Sequence, residues 1–155
     1  MKDISDLQRS PGSKAPKGAS ETVHRRPRVL VAEDDWALRD MLLLSFENDG
    51  WSVVAVGDGA ALLEVLSASL LPRSSIRPFD LVVSDVRMPG WGGIAAVEHL
   101  SSNPQAPPVV LITAFGSEEI HKEAKRAGAV AVLDKPFDVA DLTALSRRVI
   151  AKQVA

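Results

Sequence analysis

The feature of this sequence that most limits its fold is a set of five short apolar runs, rich in valine, spread over residues 28–133. Runs of five or six residues with this composition are typical of strands that are covered on both faces. Such strands belong to parallel sheets, because helices on each side supply the two covering layers. The predicted strands are 28–32, 51–56, 79–84, 108–113 and 129–133.

Each predicted strand is followed by a segment with the apolar spacing of a helix. In the first segment, Leu38, Leu42 and Phe46 recur at helical intervals, and Gly50 can end the helix. The remaining helices are predicted at 60–71, 93–101, 117–127 and from residue 138 onward. Strict alternation of strands and helices implies right-handed crossovers, and therefore an α/β domain with a five-stranded parallel sheet.

The composition excludes several kinds of protein. The chain has no cysteine, which excludes disulfide scaffolds, thiolate metal sites and cysteine nucleophiles. No apolar run approaches a membrane span, which needs about 18 residues. The first residues also lack the apolar core of a signal peptide. We therefore predict a soluble, cytoplasmic protein.

The first 27 residues differ in composition from the rest of the chain. They carry six Lys/Arg, three acidic residues and three prolines, with few large apolar side chains. Such a segment cannot bury enough apolar surface to offset its ordering entropy, so we predict a disordered, weakly basic tail over 1–27. Its basic end has no interleaved aromatic residue, and we predict no direct binding of nucleic acid. The folded domain is predicted over 28–153, and we expect no output domain after it.

Charged and hydroxyl side chains lie at the ends of four predicted strands, where an open parallel sheet binds its ligands. Glu33, Asp34 and Asp85 place carboxylates at this edge, and Thr113 and Lys135 add a hydroxyl and an ammonium group. Grouped carboxylates repel one another unless a cation lies between them, and oxygen-only ligands favour Mg²⁺. The set suits the transfer of a phosphoryl group, with Asp85 as the nucleophile.

Four motifs at these strand ends resemble those of response-regulator receiver domains in two-component signalling. The motifs are VLVAEDD (29–35), LVVSDVRMPGWGG (81–93), VVLITAFG (109–116) and LDKPF (133–137). Their shared order and spacing make the resemblance specific. It implies a flavodoxin-like, doubly wound (βα)5 sandwich with the strand order 2-1-3-4-5.

The resemblance also assigns roles to the acidic residues. It implies that Asp85 is the phosphoacceptor and that Mg²⁺ is the cofactor. Asp34 is implied as a direct ligand of the ion, with Glu33 acting mainly through water. Asp85 and the main-chain carbonyl of Arg87 complete the implied ligand set.

Other residues are implied to bind the phosphoryl group and to report its presence. Thr113 and Lys135 correspond to the hydroxyl and the lysine that bind it, and the Lys135–Pro136 bond is implied to be cis. The sequence departs from the family at Val132, where a Tyr or Phe ring usually moves inward on activation. We hypothesise that Phe115 substitutes for this ring. Phe115→Ala would then weaken partner binding and leave phosphorylation of Asp85 intact.

The implied function is that of a signalling protein and not of an enzyme acting on a separate substrate. A histidine kinase or a histidine phosphotransfer protein would phosphorylate Asp85. The domain would also react with small phosphodonors and hydrolyse its own acyl phosphate. The face formed by the fourth helix, fifth strand and fifth helix would then bind an unidentified protein. No membrane partner is predicted, and a homodimer is left open.

Three alternative functions are kept beside this one. An aspartate-nucleophile phosphatase carries Asp-x-Asp after its first strand, whereas Asp85 follows the third strand and begins Asp-Val-Arg. A flavin or nucleotide binder needs a loop rich in backbone donors after the first strand, where 33–35 is acidic instead. A receiver that acts without phosphorylation stays open, because Val132 replaces the usual aromatic residue.

Overall fold

The computed structural model describes residues 25–154. This part of the chain contains five strands and five helices in alternation. The strands are β1 (Arg28–Ala32), β2 (Ser52–Val56), β3 (Leu81–Asp85), β4 (Val109–Thr113) and β5 (Ala131–Asp134). The helices are α1 (Trp36–Asn48), α2 (Gly59–Ser69), α3 (Gly93–Leu100), α4 (Glu118–Ala127) and α5 (Val139–Val154). The predicted tail, 1–27, lies almost entirely outside the described residues.

The five strands are parallel and form one sheet in the order β2-β1-β3-β4-β5. The central strands β1, β3 and β4 are buried almost throughout, which explains their continuous apolar character. The edge strands β2 and β5 are mostly half-buried. The predicted flavodoxin-like fold is confirmed, including its strand order.

An apolar core lies on each face of the sheet. On one face, the rings of Phe46 and Trp51 meet edge to face with centroids 5.4 Å apart, and Leu142 of α5 is buried with them. On the other face, Leu66 of α2 packs in the same cluster as Val97 of α3. Because both faces are covered, a ligand can approach the sheet only at its edges.

Side chains and a glycine cap several of the helix ends. Asp35 begins α1, and its Oδ1 accepts the N–H groups of Ala37 and Leu38 at 2.9 and 3.0 Å. Asp58 begins α2. Gly128 ends α4 in the left-handed conformation, with φ of +112°. These contacts satisfy backbone groups that the helix itself leaves unpaired.

Strand β3 extends one residue further than predicted, and this difference affects the site. The N–H of Val86 donates to the carbonyl of Ile112 at 2.8 Å, so pairing with β4 continues past Ser84. Asp85 is therefore the last residue of a central strand and not the first residue of a loop. Its backbone is therefore fixed by the pairing of β3 with β4.

Within the described part of the chain, no helix has the combined length and apolar character that would let it cross a membrane.

Candidate functional site

The strand order brings the predicted site residues to one edge of the sheet. Asp85 ends β3, and strand β3 lies between β1 and β4 in the sheet. Glu33 follows β1 directly, Thr113 ends β4, and Lys135 follows β5. Residues that are far apart in the sequence therefore surround Asp85.

Three carboxylates form a cluster at this edge. One oxygen each from Glu33, Asp34 and Asp85 lies within 4.8 Å of the others. Glu33 is fully buried, Asp85 is 6% exposed, and Asp34 is exposed. An oxygen-only set that opens to solvent at one residue fits a hard cation such as Mg²⁺, which keeps several of its waters. The prediction that these residues lie together is confirmed.

The ammonium group of Lys135 lies between two of these carboxylates. Its Nζ atom is 2.7 Å from Oδ2 of Asp85 and 3.1 Å from Oε2 of Glu33. Burial lowers the pKa of Lys135, but the hydrogen bonds and charges of Asp85 and Glu33 outweigh it, and the pKa is raised overall. Lys135 is therefore charged at neutral pH and partly neutralises the cluster.

Glu33 is the carboxylate that is most affected by its surroundings. Burial raises the pKa of Glu33 to about 7, and the negative charge of Asp85 acts in the same direction. The N–H of Asp35, which donates to Oε1 of Glu33 at 3.1 Å, and the nearby Lys135 oppose this shift only in part. In the absence of a cation, Glu33 therefore exchanges a proton near neutral pH.

Thr113 lies beside the cluster but is not hydrogen-bonded to it through its side chain. The hydroxyl is buried, and its oxygen accepts the N–H of Phe115 at 3.2 Å. In the described part of the chain, Oγ1 of Thr113 makes no hydrogen bond to Asp85 or Lys135. The link to Lys135 is through the backbone, since the Lys135 N–H donates to the Thr113 carbonyl at 2.7 Å.

The other predicted site residues differ in their contacts with the cluster. The N–H of Arg87 donates to Oδ1 of Asp85 at 3.0 Å, and its guanidinium lies 5.6 Å from the Phe115 ring centroid. The Phe115 side chain is 70% exposed, whereas Val132 is half-buried and packs against the core on the α2 and α3 side. The Lys135–Pro136 peptide bond is cis.

The loop after Asp85 requires glycine for close packing. A Cβ atom at Gly93 would overlap the carbonyl oxygen of Asp85 and lie 2.8 Å from Cδ2 of Leu111. One at Gly92 would lie 2.6 Å from the carbonyl oxygen of Val86. The start of α3 is thus pressed against the end of β3, which fixes the backbone on both sides of Asp85.

Two contacts near the site were not predicted. Nη1 of Arg39 donates to the Glu33 carbonyl at 2.8 Å, and a Cβ atom at Gly57 would lie 2.8 Å from the same nitrogen. His121 of α4 pairs with Asp134, the residue before Lys135. Arg39 and His121 lie outside the four motifs, and each contact depends on how the loops pack, so sequence spacing gives no signal for it.

Comparison with known proteins shows the class to which this fold and site belong. A family model described as the response regulator receiver domain matches residues 29–147. That match covers most of the chain and includes every residue of the site. The chain therefore belongs to the receiver-domain family of two-component response regulators.

The chain is also similar in sequence to curated regulatory proteins. The transcriptional activator protein PfeR of Pseudomonas aeruginosa is 39% identical over 118 residues, covering 76% of this chain and 36% of that protein. The transcriptional regulatory protein PdtaR of Mycobacterium tuberculosis is 36% identical over 116 residues, covering 74% of this chain and 52% of that protein. The chain thus spans between about a third and a half of these relatives.

Solved structures agree with the fold. The receiver domain of the Francisella response regulator 1452 has a TM-score of 0.73 and 26% identity, covering 83% of this chain and 99% of that chain. The chemotaxis protein CheY4 of Vibrio cholerae has a TM-score of 0.68 and 29% identity, and the match covers 81% of this chain and 99% of that chain. Both matches span nearly the whole length of the solved receiver chain.

Proposed function

We propose that this domain accepts a phosphoryl group on Asp85 and uses it to control a partner protein. The observation that carries the proposal is the position of the Asp85 carboxylate, which lies 2.7 Å from the Lys135 ammonium group and in one cluster with the carboxylates of Glu33 and Asp34. Such an arrangement offers a nucleophile, a fixed positive charge and a cation site within a few ångströms. Membership of the receiver family supports the same function.

The proposed donor is a phosphohistidine on a histidine kinase or a histidine phosphotransfer protein. One carboxylate oxygen of Asp85 bonds to phosphorus while the phosphorus–nitrogen bond of the donor breaks. The imidazole nitrogen takes the electron pair of that bond, and the ring leaves as neutral imidazole when its other nitrogen carries a proton. The product is an acyl phosphate on Asp85.

Glu33, Asp34 and Asp85, with the main-chain carbonyl of Arg87, are the residues proposed to hold Mg²⁺. The bound ion would offset the negative charge of the phosphoryl oxygens. Lys135 contributes a further positive charge that is already 2.7 Å from Asp85. The hydroxyl of Thr113, whose oxygen accepts the N–H of Phe115, is proposed to donate its proton to a hydrogen bond with a phosphoryl oxygen.

Resetting is proposed to occur at the same site. A water oxygen attacks phosphorus, the bond from phosphorus to the Asp85 oxygen breaks, and inorganic phosphate leaves. The domain would thus react with phosphodonors and hydrolyse its own acyl phosphate without turning over a separate substrate. The output is proposed to pass through the face formed by α4, β5 and α5.

The proposal is tested by incubating the protein with Mg²⁺ and acetyl phosphate and measuring its intact mass. The wild type is expected to gain the mass of one phosphoryl group, because acetyl phosphate is a small donor that needs no docking surface. The matched control is Asp85→Asn, which keeps the size of the side chain and removes the nucleophile. Equal gains in both proteins, or none in a folded wild type that also fails to bind beryllofluoride, would refute the proposal.

The affinity for Mg²⁺ is expected to fall about tenfold between pH 8 and pH 6. The pKa of Glu33 is raised to about 7 without a cation, so about nine-tenths of its carboxyl groups are protonated at pH 6 and must lose a proton on binding. Calorimetric titration at several pH values measures this change. Glu33→Gln is expected to bind more weakly but with little dependence on pH in this range. A wild-type affinity that stays constant would contradict the argument.

The raised pKa of Glu33 also determines how the stability of the fold depends on pH. A carboxyl group whose pKa is raised on folding stabilises the fold fully below its unfolded value of 4.5, and this contribution is lost as the pH rises through about 7. The Mg²⁺-free protein is therefore expected to lose stability from this group between pH 5 and pH 8. Added Mg²⁺ should restore most of it at the upper end, because the ion binds the ionised form.

A further inference from the structure

A contact between two polar side chains joins helix α4 to the end of β5, next to the acidic site. The Nε2 atom of His121 lies 2.8 Å from Oδ1 of Asp134. His121 lies near the start of α4, and Asp134 is the last residue of β5, immediately before Lys135. The side chains are 31% and 55% exposed, so the pair forms at the surface with the histidine the more covered partner.

The backbone of the β4–α4 loop packs directly against this pair. A Cβ atom at Gly116 would overlap Oδ1 of Asp134 and lie 3.0 Å from Nε2 of His121. Glycine is therefore required for the loop to pass at this distance. A displacement of the loop at Gly116 must change the contact between the two side chains.

The pair completes a ring of contacts that includes both residues proposed to bind the phosphoryl group. The loop 114–117 leads from Thr113 into α4, where His121 reaches Asp134. Asp134 is bonded covalently to Lys135, whose N–H donates to the Thr113 carbonyl at 2.7 Å. A shift of Thr113 or Lys135 toward a phosphoryl group therefore acts on the pair from both sides.

Helix α4 packs against α3 and β5 mainly through small side chains. Its buried residues are the small Ala124 and Ala127, and Ile120 is only half-buried. Helices with few buried apolar contacts have low local stability and move readily. The half-buried Val132 packs against the same core as Ile120, and its branched side chain has a restricted χ1 and no ring that could swing.

We infer that the His121–Asp134 pair transmits the state of the phosphoacceptor to α4, in a chain that lacks the usual aromatic residue at Val132. Both are positioning residues, because they act through Gly116 and Lys135. Neither is hydrogen-bonded to Asp85 in the described part of the chain. The inference rests on the proposed phosphorylation of Asp85 and names the connection by which it reaches the output face.

The absence of cysteine from the sequence allows a direct test. Glu123 is exposed in the middle of α4, so Glu123→Cys provides a single site for an environment-sensitive dye. Beryllofluoride, which mimics an aspartyl phosphate, is then added with Mg²⁺. The dye reports the change of α4, and calorimetry reports binding at Asp85. The two readouts separate a loss of coupling from a loss of the site.

In His121→Ala and in Asp134→Ala, beryllofluoride is expected to bind while the equilibrium constant of the α4 change shifts about two- to fivefold from the wild-type value, as for loss of a partly exposed polar contact. The double variant should differ no further from the wild type than either single variant, since only one contact is lost. The control is Lys122→Ala, which breaks the exposed pair with Glu118 on the same helix and should leave the response unchanged.

Two outcomes would overturn the inference. A wild-type α4 response in either single variant would show that the pair does not transmit the change. Independent, additive losses in the double variant would show that the two residues act separately and not as a pair. A wild type that neither binds beryllofluoride nor gains a phosphoryl group is a different result, which refutes the proposed function and the inference together.

Discussion

Replacement of Lys135 by alanine is expected to destabilise the Mg²⁺-free protein by about 2–4 kcal/mol at pH 8, as for removal of one partner from a largely buried ion pair. Lys135 is the ammonium group closest to both Asp85 and the fully buried Glu33. Without it, two adjacent carboxylates must either repel each other or take up a proton, and taking up a proton costs more as the pH rises. Unfolding in urea, with a chelator present, measures the loss.

Saturating Mg²⁺ is expected to recover at least half of that loss, because the ion supplies the positive charge that the variant lacks. The matched control is Lys122→Ala, whose exposed pair with Glu118 should contribute less than about 1 kcal/mol with or without Mg²⁺. If Lys135→Ala lost the same free energy of unfolding with and without Mg²⁺, the account would be contradicted. Such a result would mean that the lysine stabilises the fold by packing and not by its charge.

The neighbouring acids Asp34 and Asp35 are expected to give opposite results when each is replaced by alanine. Asp34 is exposed and offers an oxygen to the carboxylate cluster. Asp34→Ala should lower the Mg²⁺ affinity by about 100-fold or more, because losing a ligand exceeds the roughly 10- to 100-fold effect of losing an outer partner. The stability of the Mg²⁺-free variant should not fall, because the substitution removes a carboxylate that repels those of Glu33 and Asp85.

Asp35 caps α1 through two backbone N–H groups and is absent from the cluster. Asp35→Ala should cost about 1 kcal/mol of stability, the usual effect of losing an N-cap, and leave the Mg²⁺ affinity close to that of the wild type. Calorimetric titration and urea unfolding of both variants test the pair together. A large loss of affinity in Asp35→Ala, with none in Asp34→Ala, would mean that the roles are reversed.

The strands could be predicted because the central ones are covered on both faces. Continuous valine-rich runs have few other uses in a chain of this size, and β1 matches its predicted bounds. The caps Asp35 and Asp58 were likewise predictable, since each acts on backbone groups two or three residues away. Such local rules carry over directly from sequence to structure.

The acidic cluster could be predicted for a different reason. The carboxyl ends of parallel strands lie at one edge whatever the details of packing, so Glu33, Asp34 and Asp85 could be placed at that edge. The pairing of β1 with β3 then brings them together. The Lys135 bridge between Glu33 and Asp85 also depends on the strand order, which places β5 two strands from β3 and requires a long side chain. The order was supplied by the family resemblance.

Contacts set by loop packing could not be predicted. The pairing of His121 with Asp134 depends on how closely Gly116 approaches them, and nothing in the spacing of these residues indicates that approach. The bond from Arg39 to the Glu33 carbonyl has the same origin. The roles proposed for Phe115 and for the Arg87 carbonyl stay predictions, to be tested by substitution and by Mg²⁺ binding.

The central claim is that the phosphoryl group is bonded to Asp85 and to no other acid of the cluster. Borohydride reduces an acyl phosphate to the alcohol, which converts the modified aspartate to homoserine and marks its position for tandem mass spectrometry. After treatment with acetyl phosphate and Mg²⁺, the account predicts homoserine at residue 85 alone. Homoserine at residue 34, reduction of Glu33, or a phosphorylated protein with no reducible site would contradict it.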